Sequence, residues 1–336
     1  MKNLLIIYAI AIFSMAGILW GCMKDEYVYI QSQRPFKNLS DSTTTSLHVT
    51  IPRIEWSRTK SSSGINIYVS VTDQDGNVIQ EFNEHNFKLA YLCKGDPDIT
   101  EVEQHKSIAT DNLKSHVAAA MTMDYSGSMY GQDITNMEKA VKQFIQRKDP
   151  NDYLQIIKFA STVKIMNEFS ADSDVLTNAV EEWADVVGMT AYYDAIYYGL
   201  INANEFVQYH NDLMPSVLAF TDGHENNSVI IKRLDDLIEF ANKKQIPLYT
   251  IGFGRVDSDG MIRLAEETGG RYFYTPDSDG IDAIYDLISG QLDHIYGLTF
   301  ESFLIECDEL TINVEVTYEN QNGVLNATAS RDFLLR

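Results

Sequence analysis

The stretch "VAAAMTMDYSGSMYGQ", Val117 to Gln132, passes from an almost uninterrupted apolar run into a polar loop. Such a run is typical of a central strand in a parallel sheet, because that strand is buried on both faces. The loop places one carboxylate and two hydroxyls on alternate residues, Asp124, Ser126 and Ser128. Open α/β sheets bind ligands at the carboxyl ends of their strands, so this stretch predicts both a fold and a site.

From about residue 115 to 296, apolar strands alternate with helical patterns. Between two of these strands Met137, Val141 and Phe144 recur at helical spacing. The alternation predicts an α/β domain, a doubly wound and mostly parallel sheet with helices on both faces. The expected strands are "VAAAMTM", "YLQIIKFA", "SVLAFT", "PLYTIGFG" and "RYFYT".

In the segments on either side of this domain, apolar residues recur at every second position instead. Upstream, "SLHVTI" and "INIYVSVTDQDGNVIQEF" alternate apolar and polar residues, and downstream Ile312, Val314, Val316 and Tyr318 share one face. This period is typical of antiparallel strands with one buried face. Both ends of the chain are therefore predicted to be β structure.

Two further side chains are predicted at the same sheet edge as Asp124. "SVLAFT" ends in "TDGHENN", which brings Asp222 to that edge, and "VVGMTAYYDAI" places Thr190 on a loop before a helix. The predicted metal ligands are Asp124, Ser126, Ser128, Thr190 and Asp222. Hard oxygen donors with only two full charges suit Mg²⁺, or Mn²⁺ with similar geometry, rather than zinc.

Four side chains flank these ligands and are predicted to contact a bound partner. They are Tyr125, Tyr130, Tyr192 and His224. Interface tyrosines combine an apolar ring with a polar tip, although burial against the helices is an equal alternative. No catalytic residue is predicted: "DYSGSM" is not a Gly-x-Ser-x-Gly elbow, and only His224 or Glu225 lies near enough in sequence to serve as a general base.

The run Asp124-x-Ser126-x-Ser128, with Thr190 and Asp222, resembles the metal-ion-dependent adhesion site of von Willebrand factor type A (vWA) domains. The resemblance covers the central segment, and Met189 stands where relatives often carry a glycine. It implies a binding module without enzymatic activity, in which the cation captures an Asp or Glu of a protein or peptide ligand. The alternatives are a structural subunit of an envelope assembly and, less favoured, a metal-dependent hydrolase. A shift of the last helix, expected at about 280–296, accompanies high affinity in that family.

Related domains sit inside β-sandwiches in adhesion receptors, and the same arrangement is expected here. The predicted divisions are a signal peptide at 1–21, a flexible tether at 22–46, sandwich strands at 47–114, the vWA domain at 115–297 and further sandwich strands at 298–336. One sandwich built from both ends would make Cys93 and Cys307 neighbours that could form a disulfide. Two buried free thiols are the alternative.

The N-terminus predicts attachment to a membrane. Leu4 to Leu19 is almost wholly apolar and short, as in a signal peptide, and it ends at "LWGC". This ending resembles the lipobox of bacterial lipoproteins, which implies lipidation of Cys22; an uncleaved anchor helix is the alternative. The "MKDE" that follows resembles a surface-export tag, so the expected location is the bacterial envelope, at the outer membrane and with cell-surface exposure as one option. The net charge of −22 argues against nucleic acid as a partner.

Overall fold

The computed structural model describes residues 35–58, 63–95, 98–102, 106–108, 116–184, 186–210, 213–253, 256, 258–275, 284, 288, 294–302, 305 and 307–335. The helices are α1 (Gln132–Arg147), α2 (Ser173–Glu181), α3 (Tyr192–Val207), α4 (Leu234–Lys244) and α5 (Ser258–Glu266), with a 3₁₀ turn at Glu84–Asn86. Within this part of the chain, no helix combines the length and the apolar character needed to cross a membrane.

The strands fall into three sheets. In chain order they are β1 (Lys37–Asn38), β2 (Leu47–Arg58), β3 (Ser63–Asp73), β4 (Phe87–Cys93), β5 (Thr100–Val102), β6 (Lys106–Ile108), β7 (His116–Asp124), β8 (Tyr153–Phe159), β9 (Val163–Ile165), β10 (Leu213–Thr221), β11 (Leu248–Gly252), β12 (Tyr272–Tyr274), β13 (Tyr296–Ser302), β14 (Glu309–Asn320) and β15 (Gly323–Leu334).

The central sheet has six strands in the order β12-β11-β10-β7-β8-β9. All neighbours are parallel except β9, which pairs antiparallel with β8 at the edge. Because side chains alternate along β7, Met121 and Met123 join a core with α1 and α2, whereas Ala120 joins a second core with α3, α4 and α5. The prediction of a doubly wound, mostly parallel sheet with helices on both faces is confirmed.

The other two sheets combine strands from both sides of the central domain. One has the order β2-β3-β13-β6, and the other has the order β1-β14-β4-β5 with β15 paired to β14. Their inward faces share one apolar core, to which β3 contributes Ile65 and Ile67 and β14 contributes Ile312 and Val314, all four fully buried. Strands before and after the central domain are hydrogen-bonded to each other, β13 to β3 and β14 to β4. The central domain is therefore inserted in a β-sandwich, as the sequence predicted.

A disulfide joins the two halves of the sandwich. Cys93 ends β4, Cys307 lies shortly before β14, and their Cα atoms are 5.8 Å apart in the bonded pair. The bridge closes a loop with a sequence separation of 214 that contains the whole central domain. It therefore links β4, which precedes the central domain, to the chain just before β14, which follows that domain.

Hydrogen bonds fix the central domain against the sandwich. Gln245, in the left-handed conformation after α4, accepts a bond from the Ile54 amide and donates one to the Asp332 carbonyl, at 3.1 and 3.3 Å. Within the sandwich, Arg331 on β15 is 2% exposed and donates to the Ile51 carbonyl on β2, at the face that the central domain contacts through Gly269. Burial lowers the pKa of Arg331 to about 9. Gly269, with φ of +83°, lies against this arginine, and a Cβ there would be 2.8 Å from its Nη1.

Several predictions lie outside the described residues. These are the signal peptide at 1–21, the lipidation of Cys22, the first part of the tether at 22–46, and most of the last helix at about 280–296, of which only residues 284, 288 and 294–296 are described. For the second part of the tether, 35–46, the prediction of a flexible segment is wrong, because β1 pairs with β14 and Thr44 is 4% exposed. Ile284 and Ile288 are helical and buried in the core next to α1. The predicted C-terminal end of the vWA domain is residue 297. Strand β13 of the sandwich begins at Tyr296, so the sandwich starts slightly before that predicted boundary.

Candidate metal centre

The candidate site is formed by three loops at the carboxyl edge of the central sheet. Asp124 is the last residue of β7, and the loop after it carries Ser126 and Ser128 before α1 begins. Asp222 follows the last residue of the neighbouring strand β10, and Thr190 lies two residues before α3. The parallel pairing of β7 with β10 brings the ends of both strands to the same edge.

Asp124 is fully buried and is positioned by hydrogen bonds to both carboxylate oxygens. The Thr221 hydroxyl donates to Oδ2 at 2.6 Å, and the Ser126 amide donates to Oδ1 at 2.8 Å. Burial raises the pKa of Asp124 to about 6, with a smaller upward contribution from the Asp222 charge, while the bonds from Thr221 and Ser126 lower it. A buried carboxylate whose negative charge is penalised in this way is stabilised by a bound cation.

The two serines lie next to each other beside this carboxylate. Ser126 is 1% exposed and Ser128 is exposed, and their Oγ atoms are 3.2 Å apart. The Gly127 amide between them donates to the Gly188 carbonyl at 2.8 Å, which ties this loop to the loop of Thr190. The pair therefore presents two neighbouring hydroxyl oxygens from a fixed backbone.

The backbone of Thr190 is held by the loop that follows β10. Its amide donates to Asn226 Oδ1 at 2.8 Å, and its carbonyl accepts from the amides of Asn226 and Asn227 at 3.1 and 3.0 Å. Thr190 itself is 2% exposed. These bonds connect the second and third loops, just as the Gly127 to Gly188 bond connects the first and second.

Asp222 completes the predicted set and is 5% exposed. Its Oδ1 accepts from the His224 amide at 3.3 Å and lies 3.5 Å from His224 Nδ1. The chain turns at Gly223, whose φ of +86° is in the region that favours glycine. All five predicted ligand residues are thus placed on the three connected loops.

Two more carboxylates lie nearby but serve as caps. Glu225 accepts from the amides of Tyr193, Asn227 and Ser228 and from the Ser228 hydroxyl, at 2.7 to 2.9 Å. Both of its oxygens are used. The sequence did not predict this role, although an acidic residue in a loop facing a helix N-terminus is a recognisable signal.

Asp194, in the first turn of α3, fixes the end of the same loop. Its carboxylate accepts from the amides of Val229, Ile230 and Ile231 at 2.8, 2.9 and 3.1 Å. The side chain is 4% exposed. These two acids hold the loop after β10 against α3 and are thereby distinct from the metal-ligand candidates.

The predicted contact residues divide into two groups. The prediction is wrong for Tyr192, which is 2% exposed because the first turn of α3 packs that ring against Phe159. Tyr125 is also directed inward: its hydroxyl donates to Glu138 at 2.8 Å, and Lys158 Nζ lies 4.9 Å from the ring centroid. Tyr130 is 74% exposed, and His224 has a side chain that is 57% exposed.

The donor set fits a hard divalent cation. It contains two carboxylates and three hydroxyls, and within the described ranges no three His, Cys, Asp or Glu side chains cluster as they would for zinc. The buried Tyr192 hydroxyl has no hydrogen-bond partner within 3.5 Å among the described residues. Burial raises the pKa of Tyr192 well above its usual value, with smaller upward contributions from Tyr193, Asp124 and Glu225. An unpartnered polar group in this position is consistent with a site that is completed by an ion and its waters.

A family model described as von Willebrand factor type A domain matches residues 120–287. The chain belongs to this family. A curated relative is bovine inter-alpha-trypsin inhibitor heavy chain H1 (Bos taurus), which is 26% identical over 178 residues, or 48% of this chain and 19% of the relative. The chain therefore matches only about a fifth of that relative's length.

Two solved structures are similar to this vWA chain. The von Willebrand factor type A structure from Catenulispora acidiphila has a TM-score of 0.47 at 9% identity. The match covers 89% of this chain and 75% of the chain in that structure. Manganese-loaded TRAP protein from Plasmodium vivax has a TM-score of 0.41 at 17% identity. The match covers 68% of this chain and 96% of the chain in that structure.

Proposed function

We propose that this protein is a membrane-anchored, metal-dependent protein-binding module. Asp124, Ser126, Ser128, Thr190 and Asp222 would hold one Mg²⁺ or Mn²⁺. When bound, the ion supplies a coordination position that a partner's Asp or Glu carboxylate can fill. The observation that carries the proposal is the arrangement of these five oxygen donors on three loops that hydrogen bonds connect at Gly188 and Thr190.

The neutral hydroxyls are central to this function. Three of the five donors carry no charge, so a bound divalent cation keeps much of its positive charge for an incoming carboxylate. The surrounding backbone is already fixed by the bonds within and between the loops, which reduces the ordering cost of binding. A site of this kind favours reversible capture of an acidic side chain.

Of the two bases that lie near the site in sequence, Glu225 is already occupied by hydrogen bonds, which weakens the case for hydrolysis. A hydrolase needs a general base that can accept a proton from a metal-bound water. Glu225 already accepts four hydrogen bonds from Tyr193, Asn227 and Ser228. His224 is the remaining base near the site in sequence, and its Nδ1 lies 3.5 Å from Asp222.

The anchoring part of the proposal rests on the sequence. The apolar segment from Leu4 to Leu19 and the "LWGC" ending support lipidation of Cys22 and attachment to the bacterial envelope. In the wild type, mass spectrometry of the mature N-terminus should then show a diacylglycerol-sized increment. A Cys22→Ala variant that matures normally would refute the lipoprotein assignment.

Metal binding is tested by calorimetric titration of Mg²⁺ and Mn²⁺ into the wild type and Asp124→Asn. The substitution removes a charge from a carboxylate that is 0% exposed but keeps its shape, so affinity should fall at least about tenfold. Asp259→Asn, at an exposed position in α5, is the matched control and should bind as the wild type does. Equal affinities in all three proteins would refute the site.

Partner binding is tested by cross-linking and pull-down from intact cells in Mg²⁺ and in EDTA. Proteins captured through the site should require both Mg²⁺ and Asp124. Partners that are retained equally by Asp124→Asn in EDTA would mean that the protein binds through another surface, as expected for a structural subunit.

A further inference from the structure

A cavity of about 320 Å³ lies where the sandwich meets the vWA domain. Residues of β2 and β15 line it from the sandwich, and Gly269 and Gly270 line it from the vWA domain. Gly270 lies against Leu248, the first residue of β11, so the cavity is at the amino edge of the central sheet, opposite the candidate metal centre. Its volume is roughly ten times that of one water and falls at the small end of the range for ligand sites.

Arg331, which lines this cavity, is a buried cation whose hydrogen-bonding capacity is only partly used. It is 2% exposed, and its Nη1 donates to the Ile51 carbonyl. Its Nε and Nη2 have no hydrogen-bond partner within 3.5 Å among the described residues. These two nitrogens form the side of the guanidinium that donates two parallel bonds to a carboxylate or phosphate. Leaving both unsatisfied in a buried charged group is costly, so this pair of donors points to a ligand.

His48, on β2, brings a third unsatisfied nitrogen to the same cavity. Its Nε2 is buried and has no partner within 3.5 Å in the part of the chain that the structure describes. Burial, with a smaller contribution from the Arg271 charge, lowers the pKa of His48 to about 4, so the imidazole is neutral at pH 7. A neutral imidazole that carries its proton on Nε2 donates one hydrogen bond. Arg331 and His48 together can therefore offer three donors to one ligand.

The charges around the cavity favour an anion. Of the described residues that line it, Glu266 alone is acidic, whereas Arg331 is cationic and the charge of Arg271 acts on His48. Arg331 also lines a second cavity, of about 410 Å³, but five acidic residues line that one. An anion bound to Arg331 would therefore be repelled less in the cavity that His48 lines.

We propose that the cavity between β2, β15 and Gly269 binds a small anion that carries a carboxylate or phosphate group. Nε and Nη2 of Arg331 donate to two oxygens of this group, and His48 Nε2 donates to a further oxygen of the ligand. Because the walls come from both the sandwich and the vWA domain, the bound anion stabilises the folded arrangement of the two.

The test is calorimetric titration of inorganic phosphate and of malonate into the full chain in EDTA, with NaCl added to match the ionic strength. EDTA removes any cation from the candidate metal centre, so that centre cannot capture these anions. The expected result is saturable binding of at least one of the two, together with a higher thermal midpoint. Which of them binds distinguishes a phosphate from a carboxylate ligand. Acetate should bind more weakly than malonate, because it has no third oxygen for His48.

Variants then assign the binding to the two side chains. Arg331→Lys keeps the charge but loses the parallel donors, so affinity should fall at least about tenfold. His48→Leu should weaken binding about fivefold, and His48→Gln should restore most of it because the Gln amide can donate in place of Nε2. His85→Leu is the matched control, since this histidine lies in the 3₁₀ turn and does not line the cavity. Its affinity should equal that of the wild type.

Each possible failure has a clear meaning. Absence of binding of both anions to the wild type, with an unchanged thermal midpoint, would overturn the inference and leave water as the partner of Arg331 and His48. Binding that neither Arg331→Lys nor His48→Leu weakens would place the anion elsewhere and also overturn it. If circular dichroism shows that Arg331→Lys does not fold, the comparison of His48→Leu with His48→Gln decides. All of these measurements are made in EDTA, so none of them depends on the proposed metal-dependent capture.

Discussion

Gly188, in the loop that carries Thr190, can be substituted to test whether the hydrogen bonds of this loop stabilise the candidate metal centre. Gly188 has φ of +101°, and a Cβ at this position would lie 2.7 Å from Ser161 Oγ. That same oxygen accepts a hydrogen bond from the Met189 amide at 2.7 Å. Gly188→Ala therefore creates backbone strain and a contact that Ser161 can relieve only by moving its hydroxyl away from that amide.

The cost can be divided into two parts. Placing an alanine in the left-handed region costs about 1 kcal/mol. Rotating the Ser161 hydroxyl away loses one hydrogen bond, which costs about another 1 kcal/mol, so Gly188→Ala should lower the free energy of unfolding by about 2 kcal/mol. Gly95→Ala is the matched control: φ is +92° and no atom lies within 4 Å of the added Cβ, so only the strain of about 1 kcal/mol remains.

A double-mutant cycle separates the contact from the strain. Ser161→Ala alone should cost about 1 kcal/mol, because it removes the bond to the Met189 amide. In Ser161→Ala/Gly188→Ala the hydroxyl is absent and its bond is already lost, so the total should remain about 2 kcal/mol instead of the additive 3 kcal/mol. The two substitutions are thus expected to be coupled by about 1 kcal/mol.

Urea unfolding followed by circular dichroism measures the four free energies. Hydrogen exchange of peptides that cover residues 182–191 shows whether the loss is local to this loop. Mg²⁺ affinity should decrease in Gly188→Ala and not in Gly95→Ala, because the Gly188 carbonyl accepts the Gly127 amide between the two serines. A double variant as destabilised as the sum of its parts, or a Gly188→Ala cost equal to that of Gly95→Ala, would refute the reasoning.

Three other predictions concern the sandwich and its junction with the vWA domain. Replacing Cys93 and Cys307 with Ser should reduce the free energy of unfolding by up to about 5 kcal/mol in the chain-entropy model, and reductant should then have no further effect on the urea midpoint. Burial lowers the pKa of His48 to about 4, so the unfolded state binds a proton more tightly than the folded state does. The free energy of unfolding should therefore fall by about 2 kcal/mol between about pH 6.5 and pH 5. His48→Gln should flatten that slope in urea titrations, and an unchanged slope would contradict the assignment. Gly269→Ala, with φ of +83° and a crowded Cβ position, should cost about 2–4 kcal/mol in the same assay, against about 1 kcal/mol for Gly95→Ala.

Local patterns in the sequence predicted the central sheet and the positions of the site residues. The apolar run of β7 and the polar residues after it belong to one short stretch, so strand, loop and candidate ligands could be read together. The same holds for Ile65 to Val71, whose alternation placed one face in the core, where all four apolar residues are 0% exposed. These features depend on the chemistry of neighbouring residues.

The sequence did not determine which of the predicted contact residues are buried. Tyr192 and Tyr130 are both tyrosines close to predicted ligands, yet they are 2% and 74% exposed. The difference depends on how α3 is rotated against the sheet, which brings Tyr192 onto Phe159. Helix rotation results from packing over many residues, so a local pattern does not determine it.

Local residue patterns were enough to predict strands with one buried face at both ends of the chain and an α/β domain with five oxygen donors between them. Strand pairing, the carboxylates that act as caps and the side chains that remain exposed depend instead on tertiary packing. Glu225 and Asp194 accept bonds from residues up to 37 positions away, and Arg331 reaches Ile51 across a separation of 280. Such contacts form only when folding brings distant segments together, because a buried polar group takes whichever partner the packed chain places beside it.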